Sequence, residues 1–583
     1  MTAQEHINRA KKYVDKHNFD KALAELNKAI EIDSTCIEAL YKRGTMLMLA
    51  GDIEKGRADL DALLAADPGN ISTLMARSTM YTARGEYQLA LADINQAFEL
   101  EGEHVDFLLH RGYIYLQAAS YEQAIADFTK ALGMSNDETM TAVIYKDRGL
   151  AFSKNNQYSE ALEDFRQAEE IDPEDPELLL YRGSLYSACG DVDKALAEYT
   201  TAHMLNPDDV NVLINRAETW VKKGNYDRSI DDYTKVIALD PQNDEFFERR
   251  SIIYTHAKQY DKAIADLTSA IALNPDNADY YNSRGLIYSD IGNNDAAIAD
   301  FTRFIEMEPD VLEGYYNRAD TYLEKGDIKK ARADNARAIA LHPGDIDSLN
   351  QQGGISIMTG KLDNALESFN KVLELDSRDI TALQSRGAVF LRKNNYDKAL
   401  ADANQLVRLK PDDTDAFSLR IHIYMAIKKY DMAMADISKV LSMYPKNPYF
   451  IRLRGDIYTM KDQRDKALAD YTKAIEIDPE GDPVAYYMRG NIYLEKNNRA
   501  AGIADFGKAI ELDPGMASAY YCRGSVYLLK KDYEKALEDF NRAHSLDPAN
   551  PRILEKRGDT MTALGRTNEA MLDFEKAAWL DRG

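Results

Sequence analysis

The chain repeats itself every 34 residues. Tyr280–Pro309 (YYNSRGLIYSDIGNNDAAIADFTRFIEMEP) returns as Tyr315–Pro343 (YYNRADTYLEKGDIKKARADNARAIALHP) and again as Tyr520–Pro548 (YYCRGSVYLLKKDYEKALEDFNRAHSLDP). A fixed period of this length constrains the fold more than any other feature. Each unit is too small to bury its apolar face alone, so stability has to come from stacking neighbours. A compact chain of 583 residues would be expected to split into several domains. The repeat predicts one continuous stack over 1–583 instead. Anchoring on the small residue that follows Arg near the middle of each unit gives seventeen repeats. They start near 3, 37, 71, 105, 142, 176, 210, 244, 278, 312, 346, 380, 414, 448, 483, 517 and 551. Two steps break the period: three extra residues around Gly133–Thr141 and one around Glu480–Asp482. Both are read as loops between repeats.

Within a unit, apolar and small residues recur three and four apart, the stripe of an amphipathic helix. Proline placement gives the helix boundaries. Twelve of the sixteen prolines, from Pro68 to Pro548, close repeats, and Pro176, Pro448, Pro483 and Pro551 open them. None interrupts a helix, and a first-turn proline lacks no needed hydrogen bond. The small–aromatic–small–aromatic–small–Pro skeleton of Gly183, Tyr186, Ala195, Tyr199, Ala202 and Pro207 recurs as Gly524, Tyr527, Ala536, Phe540, Ala543 and Pro548. In this the chain resembles the tetratricopeptide repeat, a helix–turn–helix unit. The resemblance covers essentially all of it. It implies an all-α fold, a right-handed α-solenoid superhelix of seventeen hairpins, acting as a non-catalytic scaffold that binds proteins or peptides in its concave groove. Two other roles remain open, an adaptor or regulatory subunit of a chaperone or enzyme complex, and a self-assembling structural protein.

The residue before the anchor is Arg in sixteen repeats, from Arg9 to Arg557, and an acid stands sixteen residues later, from Glu25 to Asp573. The eleventh repeat has Gln352 and Ser368 instead, so both partners are lost together. This predicts an Arg–carboxylate bridge between the two helices of one hairpin. A residue present in nearly every repeat builds the repeat, whereas residues that vary choose the partner.

The net charge of -25 argues against nucleic acid, which needs a basic footprint, and against an anionic membrane surface. The opening MTAQEHINRAKKYVDKHN has no apolar run, and no stretch approaches a membrane span. Cys36, Cys189 and Cys522 lie too far apart along the repeat axis to pair, which suits a reducing, cytoplasmic compartment. No phosphate loop, dinucleotide fingerprint or metal-spaced cluster is present. His104 and His110 come nearest, and are read as unrelated surface residues. The chain is read as not an enzyme, with no cofactor.

In the resembled family the second, fifth, ninth, twelfth and thirteenth residues of each first helix line the groove. Transferred to this sequence, repeats seven to eleven present Glu218, Glu245, Glu248, Asp279, Asp290, Glu313, Asp320, Glu324 and Asp347, interrupted only by Lys222 and His256. Nearer the N-terminus the lining is apolar, with Tyr41, Met48, Met75 and Tyr113. The apolar stretch would take an extended or helical peptide, and the acidic one a basic segment. The chaperone-tail clamp of this family needs Lys fifth and Asn ninth. Lys146 is followed by Leu150, and Asn491 is preceded by Tyr487, so no clamp is complete. The asparagine ladder of the sugar-transferring members is absent too, with Asn215 and Asn317 isolated.

Two local expectations complete the reading. The eleventh repeat should be weak, because it lacks the ion pair, the first-helix aromatic (Ser356) and the closing proline (Ser377), and its neighbours carry Asn335 and Ala403 in place of the second-helix aromatic. The last hairpin runs through Phe574, Ala577, Ala578, Trp579 and Leu580 with no capping helix, which suggests end-to-end self-association there.

Overall fold

The computed structural model describes residues 1–16, 18–50 and 52–581. It is all-α, with 34 helices among the described residues, alternating first and second helix from Ala3–Val14 and Phe19–Ile32 to Pro551–Ala563 and Thr567–Leu580. The chain divides into two units, Met1–Asn293 and Asn294–Gly583. The division falls inside the ninth hairpin, between Ala278–Asp290 and Asn294–Met307. The first unit therefore holds eight hairpins and one first helix. The second opens on a second helix and continues with eight hairpins.

Local chemistry sets each boundary. Pro176, Pro448, Pro483 and Pro551 occupy the first turn of their helices, and Asp175 just ahead accepts from the backbone N–H of Glu177 and Leu178. This satisfies donors that no helical carbonyl can reach. Between the two helices of each hairpin from repeat three onward the chain turns through one left-handed residue. Gly85 (φ +74°) fills this place in repeat three and Lys258 (φ +56°) in repeat eight. The extra residue at Glu480–Asp482 sits in the turn. The three-residue insertion does not form a loop. It extends the first helix of repeat five, which starts at Glu138 and runs 17 residues to Lys154, where most first helices have 13. Asp137 caps that extra turn by accepting from the Met140 N–H, so the added residues find helical bonds.

The anchor glycines fix how closely the two helices approach. A Cβ on Gly183 would lie 2.6 Å from the Tyr199 ring, a distance that no carbon contact tolerates. Where the anchor is Ser78, its hydroxyl instead donates to the Ala90 carbonyl across the same gap at 2.9 Å. The aromatic facing the anchor is fully buried, as are Phe128, Phe165, Tyr199 and Tyr471. Ala403 breaks this pattern without weakening it. Leu419 of the next repeat reaches to 2.9 Å from the position a Gly387 Cβ would take. It fills the space that an aromatic leaves, within a core that extends from Leu383 to Ile457.

Arginine and acid meet in at least fourteen hairpins, in most of them by a two-pronged bond. In repeat seven Arg216 donates through Nε and Nη2 to Asp232 at 2.9 and 2.6 Å, and the pair is almost wholly buried. Repeat eleven keeps the register with neutral groups, the Ser368 hydroxyl donating to Gln352 Oε1 at 2.9 Å. The first repeat departs from expectation. Glu25, one methylene longer than Asp, is held by His6 at 2.6 Å and Lys28 at 2.8 Å, and Arg9 is exposed. A second bond was not anticipated. The other arm of the guanidinium reaches a residue sixteen positions earlier, on the second helix of the preceding repeat. Examples are Arg43 to Asn27 (2.8 Å), Arg250 to Thr234 (2.9 Å) and Arg420 to Asn404 (3.0 Å).

Candidate functional site

All nine expected acidic residues sit on first helices, and none is buried. In the first unit, Glu245 and Glu248 lie on Asp244–His256, and Asp279 on the following first helix, Ala278–Asp290, with Asp290 at its last residue. Burial, and then the charges of Asp279, Glu245 and Asp244, hold the Glu248 carboxyl above the usual range, against the pull of Arg249. Burial is the larger part of that shift, and the neighbouring acids add to it. Glu218 differs, because Arg249 lies 3.3 Å away and offsets it. Arg249 is the sixth residue of its repeat, one place from the lining positions, so the position rule missed it. The two interruptions are themselves engaged, Lys222 with the Ser187 hydroxyl at 2.8 Å and His256 stacked on Tyr226.

In the second unit, Glu313, Asp320 and Glu324 lie on Leu312–Glu324 and Asp347 on Ile346–Met358. All four are exposed. Burial, and then Asp320, Asp347 and Asp345, raise the Tyr316 hydroxyl above its ordinary value, which places those three carboxylates around one phenol. The Gln351 amide reaches Asp320 at the limit of a hydrogen bond, 3.5 Å.

The apolar residues are placed less uniformly. Tyr41, Met48 and Met75 are half-buried and pack against the core of repeats two and three, whereas Tyr113 is 47% exposed. His110 is not a surface residue. It is half-buried, bonded to the Ser78 hydroxyl at 3.1 Å, and burial lowers its pKa. His104 caps the helix that begins at Val105. Lys146, the clamp-like lysine, is buried and held by Asp175 at 2.8 Å and Glu177 at 2.6 Å. It is not available to an incoming carboxylate. Among the described residues no three His, Cys, Asp or Glu side chains converge as a metal-ligand set, and no helix is long and apolar enough to cross a membrane.

Family profiles described as tetratricopeptide repeat match 7–71, 80–139, 142–175, 188–244, 214–278, 251–315, 312–345, 359–414, 422–447, 453–480, 483–516 and 517–550. No curated protein matches the chain. Among solved structures it is similar to a tetratricopeptide repeat protein from Parabacteroides merdae ATCC 43184, at 25% identity and a TM-score of 0.38, covering 43% of this chain and 98% of that one. It is similar to yeast Tom70 at 20% identity and a TM-score of 0.39, covering 76% and 97%. It is also similar to the structure of Naa15/Naa10 bound to HypK-THB, at 14% identity and a TM-score of 0.37, covering 99% and 100%. At these TM-scores no function is carried across.

Proposed function

Because the chain belongs to the tetratricopeptide repeat family, we propose that it is a non-catalytic scaffold that holds segments of other proteins against its first helices, and that its acidic stretches select basic segments. The observation that carries this reading is the grouping of carboxylates around Glu248 in the first unit and around Tyr316 in the second. Like charges held together cost free energy, and a cationic partner relieves that cost. Packing supports the first helices as the binding side. Within each unit the closest approaches between like helices are all between first helices, as in repeats four to seven and eleven to thirteen. A stack whose first helices crowd together bends with those helices inside, which makes their exposed residues the lining of a groove.

Each unit has its own test. A fluorescent Lys- and Arg-rich peptide should bind the full chain with an affinity that falls as salt rises. Glu245→Lys with Glu248→Lys should slow association in the first unit, and Asp320→Lys with Asp347→Lys in the second. Both should flatten the salt dependence, because such charges steer encounter over about a Debye length, ~8 Å at physiological ionic strength. Unchanged association in both double variants would reduce the acidity to solubility alone.

A further inference from the structure

Five positions of the repeat take a residue type at one junction that is otherwise absent or rare there, and all five line one cavity. At the twenty-first residue of its repeat, Arg332 stands where the other repeats carry Leu, Ile or Met, repeat two excepted. Asn335 is the one polar residue at the second-helix aromatic position, and Ser356 the one polar residue at the first-helix aromatic position. Gln352 and Ser368 replace the ion pair. They line a cleft of about 230 Å³ between the second helix of repeat ten and the two helices of repeat eleven, with Ile355 also in its lining.

Repeat two shows what such an arginine ordinarily does. Arg57, in the register of Arg332, lies over the Tyr81 ring at 5.6 Å and 3.5 Å from the Asp61 carboxylate. The residues in the registers of Tyr81 and Asp61 are here Ser356 and Ala336, and both line the cavity. Arg332 thus lacks both of the groups that hold its counterpart, an aromatic ring and a carboxylate. Among the described residues no ion pair or hydrogen bond holds its guanidinium. Nor is the gap filled from a neighbour, as Leu419 does at Ala403. Asn335 turns its amide nitrogen away, to the Ser348 carbonyl and Gln351 at 2.8 and 3.0 Å. The Gln352 amide nitrogen and the Ser356 hydroxyl have no partner among the described residues. Lys361 and Lys371 stand at the rim. Only one acid, Glu367, is present, and it lies 3.4 Å from Lys371, so the lining is net cationic.

We propose that this cleft binds a small aromatic carboxylate, the two missing groups carried on one molecule. The ring takes the place left by Ser356 and stacks on the Arg332 guanidinium. The carboxylate takes the place left at Ala336, within reach of the cations, and the free Gln352 amide donates to it. The proposal does not depend on the groove reading, since none of its residues stands at a groove-lining position of a first helix and its chemistry differs.

The test uses the full chain and 4-hydroxybenzoate as the probe, by calorimetry and saturation-transfer NMR, with acetate, phenol and benzylamine as comparisons. The wild-type chain should bind 4-hydroxybenzoate at least tenfold more tightly than any of the three. Ser356→Tyr with Ala336→Asp rebuilds the arrangement of repeat two in place and should weaken binding at least tenfold with the melting temperature kept or raised. Arg332→Leu, the commonest residue at this position in the other repeats, should weaken it similarly. Binding no tighter than acetate or phenol would overturn the proposal, and so would equal binding of benzylamine or undiminished binding in both variants.

Discussion

A guanidinium taken out of water needs all its donors met, and here it bridges a hairpin and the repeat before it. Removing one member of such a pair leaves a buried charge uncompensated, at a cost of about 3–5 kcal/mol. Asp232→Ala should therefore destabilise strongly in urea unfolding of the full chain. Arg216→Gln with Asp232→Ser should cost much less, because repeat eleven already folds around that neutral pair. The bridge was legible in sequence, since both partners vanish together in one repeat. Its third bond was not, because the acceptor changes among Asn, Asp and Thr and leaves no single letter to see. Asp147 gives a second residue-scale prediction. Burial, and then Glu177 and Asp175, against the opposing pull of Lys146, push its carboxyl up to about 6. A carboxyl that binds its proton more tightly when folded makes stability fall as pH rises from its unfolded pKa, about 3.9, through the folded value. Asp147→Asn should raise stability at pH 7 by about 1–3 kcal/mol, and thermal melts should show that gain fading as pH is lowered toward 4.

Among the elements, the first helix of repeat eleven, Ile346–Met358, carries two adjacent glycines with opposite roles. A Cβ on Gly353 would meet the Phe369 ring at 2.4 Å, and one on Gly354 meets nothing within 4 Å. Gly354→Ala should stabilise the helix by about 1 kcal/mol, while Gly353→Ala should destabilise it by forcing the two helices apart. Amide exchange should be faster in 346–379 than in the flanking repeats and slow in Gly354→Ala. Equal protection in all three would remove the weak point. The sequence identified this repeat by its missing residues. It overstated the damage, because Ala403 is compensated by a leucine from the next hairpin, and a period counts residues without seeing which neighbour fills a gap. For the same reason it took the insertion before repeat five for a loop, when the added residues continue a helix.

For the whole molecule, the repeat period made the fold class readable, because thirty-four helices follow from one pattern applied seventeen times. The lining residues were readable only as positions. Whether a charge there is free depends on side chains one place off the rule, as Arg249 is beside Glu218. The last hairpin leaves Trp579 at 73%, Leu572 at 66% and Met571 at 59% exposure. Large exposed apolar groups gathered on one helix favour association. Sedimentation should therefore depend on protein concentration and lose that dependence in Trp579→Ala. A wild-type chain that stays monomeric at high concentration would show that this edge binds nothing of its own kind.

The backward reach of these arginines, made in many of the hairpins, gives the stack a direction. Arg43, Arg250 and Arg420 take an acceptor from the hairpin before them and none is lent by the hairpin after. Peeling a hairpin from the C-terminal side leaves these bridging arginines with their full set of acceptors, whereas peeling one from the N-terminal side strips the next such arginine of a partner. Fraying is thus asymmetric, with each N-terminal loss loosening the hairpin behind it.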